Sequence, residues 1–142
     1  MTTTGKVTIT GSTAPAEAAT LLPSVSAPSY APVAGIDHSG LVPYVVLPGN
    51  YQMPFLRAQS GAEIVVQGPS TLVLGELSLA GCAGLVFDTS GGPIQVFASD
   101  LLSFEAGTSV ATSSQNSWEV SIQVPSAASA PLLLAATSQF YG

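Results

Sequence analysis

One histidine, one cysteine and eight carboxylates are the groups through which this chain could do acid–base, nucleophilic or metal chemistry. His38 lies in GIDHSG, between Asp37 and Ser39. A Ser-His-Asp triad draws its members from separate parts of a fold and exposes the nucleophile on a turn of its own. Three adjacent loop residues, in a chain with no G-x-S-x-G elbow, do not meet that requirement. His38 is expected to be a solvated loop residue. Cys82 sits among apolar neighbours in GELSLAGCAGLV (residues 75–86) and is expected to be a buried, unreactive thiol. A single Cys and a single His cannot form a structural zinc site. Neither a D-x-D pair nor a Gly-Gly-x-Gly-x-Asp calcium repeat occurs.

The carboxylates raise a second possibility, because hydrolysis of a glycosidic bond needs two carboxyl groups facing each other across a groove. Glu76, Asp100 and Glu105 fall near the ends of successive apolar segments, where a pair could meet on one face; Asp88 lies in a Gly-rich stretch and Glu63 within a strand-like one. A lyase acting on acidic sugars would also need basic groups, and only Arg57 lies in this part of the chain. Solvated acids serving solubility are the simpler account. Trp118 and Tyr51 are expected to anchor packing rather than to form a sugar platform with Tyr44 and Tyr141. No catalytic, cofactor-binding or metal-ligating residue is therefore assigned, and the chain is read as a non-enzyme without cofactors.

The elements that would position these groups follow from composition and repetition. The 142 residues are enough for one domain with a buried core. Charged residues make up 7%, with Lys6 and Arg57 as the whole basic side and a net charge of −6. Such a surface cannot neutralise phosphates, so neither nucleic acid nor an anionic membrane surface is an expected partner. No apolar run approaches the roughly 20 residues of a membrane span. MTTTGKVTITGS lacks the order of a secretory signal, so the chain is either not exported by that route or a piece of something longer.

Six of the 11 prolines lie between Pro15 and Pro48, and with their Ala and Ser neighbours they predict an extended arm over residues 1–48. Within it, KVTITG predicts a short strand, APAEAATLL (14–22) one or two helical turns, and LVPYVVLPGNY a strand interrupted at Pro43 that ends in a Gly-Asn turn.

From residue 55 the chain repeats. Apolar or small residues recur at offsets 0, 2, 5 and 8: Leu56, Ala58, Gly61, Ile64; Leu77, Leu79, Cys82, Leu85; Leu102, Phe104, Gly107, Val110; and Leu132, Leu134, Thr137, Phe140. The starts are 21, 25 and 30 residues apart. Between them GPSTLVL, GGPIQVF and WEVSIQV alternate at period two, each after a turn signal. Short strands with Gly and Pro corners, repeating at this period, predict an all-β parallel β-helix of about four rungs over residues 49–142. Leu56, Leu77, Leu102 and Leu132 would stack rung on rung, and DTSGG, TSSQNS and PSAASAP would absorb the lengthening at corners. An antiparallel β-sandwich or jelly roll is the alternative.

Residues 47–142 also resemble, through LPGNY, SGAEIVVQGPSTLVLGELSL, GPIQVF and SQFYG in that order, a bacterial domain of cell-surface and pilus-assembly-like (PilX-like) proteins. The resemblance implies a right-handed β-helix, a Pro-rich lead and a place at the end of a long exported polypeptide; it carries no catalytic or ligand residue across. It also leads one to expect a further apolar strand after FYG, where this chain stops, and hence an open last rung or a covering chain. The expected function is a structural or assembly module of a cell surface or extracellular appendage, self-associating or binding neighbouring subunits. The alternatives are a virion component, such as a capsid-decorating or fibre protein, and a β-helix that binds a glycan.

Overall fold

The computed structural model describes residues 25–114, 116–125, 132–134 and 139–141. The strand expected in KVTITG and the helical turns expected in 14–22 lie outside the described residues. Eleven strands follow in order: β1 (Ile36–His38), β2 (Tyr44–Val46), β3 (Gly49–Ala58), β4 (Glu63–Gln67), β5 (Ser70–Leu79), β6 (Gly84–Asp88), β7 (Ile94–Phe104), β8 (Ser109–Thr112), β9 (Val120–Gln123), β10 (Leu132–Leu134) and β11 (Gln139–Tyr141). All pair in parallel, in one sheet ordered β1-β3-β5-β7-β10 with β9 also on β7, and a second ordered β11-β8-β6-β4-β2. The chain is a parallel β-solenoid of roughly four turns.

The register reproduces the repeat frame. Leu77 pairs with Leu56 and Leu102, and Leu102 with Leu132. Leu79 pairs with Ala58 and Phe104, and Leu85 with Ile64 and Val110. Nearly all the members of these columns between Leu56 and Phe104 are sealed from solvent. Column widths compensate within a turn. Ala58, Leu79 and Phe104 grow along the axis while Met53, Leu74 and Ala98 shrink, so the widest residue of one column shares a turn with the narrowest of the other.

The long strands each bend once. In β5 the inward residues are Leu72 and Leu74 before Gly75, and Leu77 and Leu79 after it, a break in the period of two. Gly75 lies between Pro54 and Asp100, and a Cβ there would meet the Pro54 carbonyl oxygen at 2.6 Å. In β7 the same bend takes one extra residue, seen as a register shift between Leu74 and Glu76. Pro54, with no N–H to offer a ladder, is tolerated because it sits at this bend.

Offset 5 of the repeat is a corner, not a core position. Gly61 and Gly107 are left-handed at φ +75 and +79, and Cys82 matches them at φ +63. The expected burial of Cys82 is therefore corrected: the turn aims its side chain outward and the thiol is exposed, with Ala83 filling the interior instead. Gly107 leaves room for it, since a Cβ there would lie 2.9 Å from the Cys82 sulfur.

The solenoid also begins earlier than residue 49. Ile36 pairs with Leu56 and Tyr44 with Ile64, so β1 and β2 form a first rung inside the stretch read as an arm. Upstream of it Pro32 bridges Gln52, and Gln52 Oε1 accepts from Tyr30 N at 2.9 Å, laying this part of the Pro-rich segment on the coil. Gly49 and Asn50, expected in a turn, open β3.

Candidate functional site

His38 belongs to β1, not to a free loop. Its Nε2–H donates to the Val42 carbonyl at 2.8 Å, and its ring lies 5.7 Å from that of Tyr44. Asp37 points elsewhere and accepts from Gln59 Nε2 at 2.8 Å. The ring is hydrogen-bonded to a backbone carbonyl and the neighbouring carboxylate to an amide, so each has a different partner.

Arg57 and Glu76, on adjacent turns, form a two-point pair. Arg57 Nε donates to Glu76 Oε1 at 2.8 Å and its Nη2 to Oε2 at 2.7 Å, while the guanidinium lies 4.4 Å from the centre of the Phe55 ring. The hydrogen bonds to Glu76 hold the Arg57 pKa above its ordinary value, with the charges of Glu76 and Asp37 adding to the effect. Asp100 accepts from Ser99 Oγ beside the neighbouring bend. Glu105 opens a corner turn, where Thr108 N and Oγ1 both donate to its backbone carbonyl.

A second group gathers at the corner after β6, where a 3-10 turn spans Thr89–Gly91. Asp88 Oδ1 accepts from Ser90 N at 3.1 Å and Ser113 Oγ at 3.2 Å. Glu119 Oε2 accepts from Thr89 Oγ1 at 2.7 Å and Ser114 Oγ at 2.5 Å. These bonds hold Asp88, through Ser90 first, and Glu119, through Ser114 first, below the usual carboxylate range. A glycosidic acid catalyst needs the opposite displacement, so that it keeps a proton to give. The two carboxylates tie polar insertions together across one corner.

Trp118 is not the packing anchor expected from its type. It stands in a second 3-10 turn, Ser117–Glu119, outside the corner and 86% exposed. Tyr51 does pack against the core. Asp100 lies beside Gly75, the residue before Glu76, while Trp118 stands at a different corner. No cluster of three or more potential metal ligands occurs among the described residues. No described helix is long and apolar enough to cross a membrane.

The feature that repetition alone did not reveal is the first rung. Val33, Leu41, Val42, Tyr44, Val45 and Leu47 are all exposed, Leu41 at 95%. With Ile36, Val46, Tyr51 and Met53 some of them border an apolar cleft of about 390 Å³ opening on that end of the coil. β1 and β2 are sheet edges, and no described strand covers their outer side. LVPYVVL, read as a strand interrupted at Pro43, does hold β2, but at three residues that strand is too short to show a period.

No family model matches the chain, and neither curated proteins nor solved structures yield a match. The resemblance to pilus-assembly-like surface domains has no support from these comparisons.

Proposed function

We propose that the chain is a non-enzymatic structural module that assembles with copies of itself through the first rung, as a part of a cell-surface or extracellular appendage. The observation that carries this reading is the exposed apolar end, whose strand edges have no partner strand among the described residues. An edge of this kind is a template for another strand, and a contiguous apolar patch on a soluble surface marks an interaction site. The occupant that fits without remodelling is the opposite end of a second copy. β9, β10 and β11 run parallel to β1 and β2 and lie at the other end of the same sheets, so one coil can continue another in register. A head-to-tail contact that keeps successive coils coaxial does not close into a ring and grows into a filament.

Sedimentation velocity over a concentration series tests it. The full chain is expected to form species that grow with concentration, and a Leu41→Ser/Tyr44→Lys variant to remain monomeric with an unchanged urea midpoint. A wild-type chain that stays monomeric at the highest concentration removes the proposal.

A further inference from the structure

Along the corner that precedes β3, β5 and β7 runs a groove of about 550 Å³, bordered by Pro48, Pro69 and Pro93 on one side and Asn50, Thr71 and Gln95 on the other. Register makes both sets into columns. Gly49 pairs with Ser70 and Ser70 with Ile94, which aligns the three prolines just before them; Asn50 pairs with Thr71, and Thr71 with Gln95. The floor is internally satisfied, because Ser70 Oγ donates to the Gln67 carbonyl and accepts from Gly49 N.

The rim is different. On other faces of the coil some outward polar groups engage one another, as in Arg57–Glu76, Gln59–Asp37 and Ser113–Asp88. The side chains of Asn50, Thr71 and Gln95 make no hydrogen bond to the described residues, and three proline rings stand exposed beside them. Amides and a hydroxyl repeat here once per turn, about 4.8 Å apart, next to a strip of ring faces. The backbone groups beneath are used in the ladders, so the groove offers no edge to which a peptide could add as a strand.

From this geometry we infer that the Pro48–Pro69–Pro93 groove binds a neutral, extended oligosaccharide lying along the coil axis. Each turn offers one sugar unit an amide or hydroxyl partner and a ring face for its C–H surface. A pyranose in an extended β-1,4 chain is close in length to the rise of one turn, so successive units meet successive rungs. No lining residue is charged, and the chain's net charge of −6 disfavours anionic glycans and phosphates. This inference is independent of self-assembly at the first rung, since the groove lies on the side of the coil.

Calorimetric titration of the full chain with cellohexaose, with maltohexaose as the coiled counterpart, tests the inference. Cellohexaose is expected to give a saturable one-to-one isotherm, and maltohexaose to bind at least tenfold more weakly. Asn50→Ala/Gln95→Ala should weaken cellohexaose by at least tenfold, about 1.4 kcal/mol, while Arg57→Ala on the other side of the bend leaves it unchanged. A circular dichroism spectrum matching wild type shows that the double variant is folded. No saturable heat with cellohexaose, equal binding of the two hexamers, or wild-type affinity in the double variant each overturns the assignment.

Discussion

Tyr44 and Ile64 occupy the same column of the coil, one turn apart. Ile64 is 0% exposed and Tyr44 44%. Both positions face the same interior, and Val46, smaller and further along β2, stays buried at 5%. Ile64 has Leu85 on its far side, and Tyr44 has no described strand beyond it. In a structure where each turn buries its face only against its neighbours, a residue's contribution is set by how many neighbouring turns it has.

The largest effect expected from this contrast is on Leu77, which lies between Leu56 and Leu102 with no exposure. Leu77→Ala should destabilise the chain by about 2–5 kcal/mol, read as a fall in the urea midpoint. Tyr44→Ala, measured on dilute monomer, should cost about 1 kcal/mol or less, because the site is already open to water. An equal loss at both positions would mean that the first rung is covered in solution.

Glycines at corners give the next largest effect and separate steric crowding from backbone strain. A Cβ on Gly68 would stand 2.1 Å from the Gly92 carbonyl oxygen of the next turn, so Gly68→Ala must push two turns apart and should cost about 1–3 kcal/mol. Gly61 has open space around it but φ +75, and Gly61→Ala should cost only about 1 kcal/mol, from the left-handed conformation alone. Thermal melts of the two variants would rank them, and the reverse order would mean that the stacked corners have room for a Cβ.

Acid should loosen the corner beyond β6 before it affects the core. Asp88 and Glu119 are held below their ordinary values by hydrogen bonds that exist only in the folded chain. Their contribution is thus present above the carboxylate range and is lost as pH falls through it. A Ser113→Ala/Ser114→Ala variant should show a shallower loss of stability between neutral and acidic pH than the wild type. Identical pH profiles would place the acid sensitivity elsewhere.

The smallest effect belongs to Arg57. Its pair with Glu76 is well formed and lies at the surface, with the side chains 40% and 20% exposed, and ion pairs in contact with solvent contribute little. Arg57→Ala should move the urea midpoint barely beyond repeat error, and added salt should remove even that shift.

What could be read from the sequence was whatever the coil repeats. Leu56, Leu77, Leu102 and Leu132 share a spacing because they share a column, and unequal intervals did not hide it since the extra residues sit at corners such as Thr89–Gly91. Repetition misled at Cys82, where a recurring small residue marked a corner that needs a left-handed backbone, not a pocket that needs filling. It was silent about β1 and β2, three residues each, embedded among prolines that read as an arm. The groove was hidden for another reason. Asn50, Thr71 and Gln95 differ in type, and only the register of β3, β5 and β7 shows that they form one line.

That register has a consequence for how such a chain changes length. Ser70 stands over Gly49 and under Ile94, so excising residues 70–93 would leave a proline at 69 leading directly into Ile94, just as Pro93 does now, and would bring Leu102 above Leu56. Whole turns are thus exchangeable parts, gained or lost by duplication or deletion without rewriting the residues on either side.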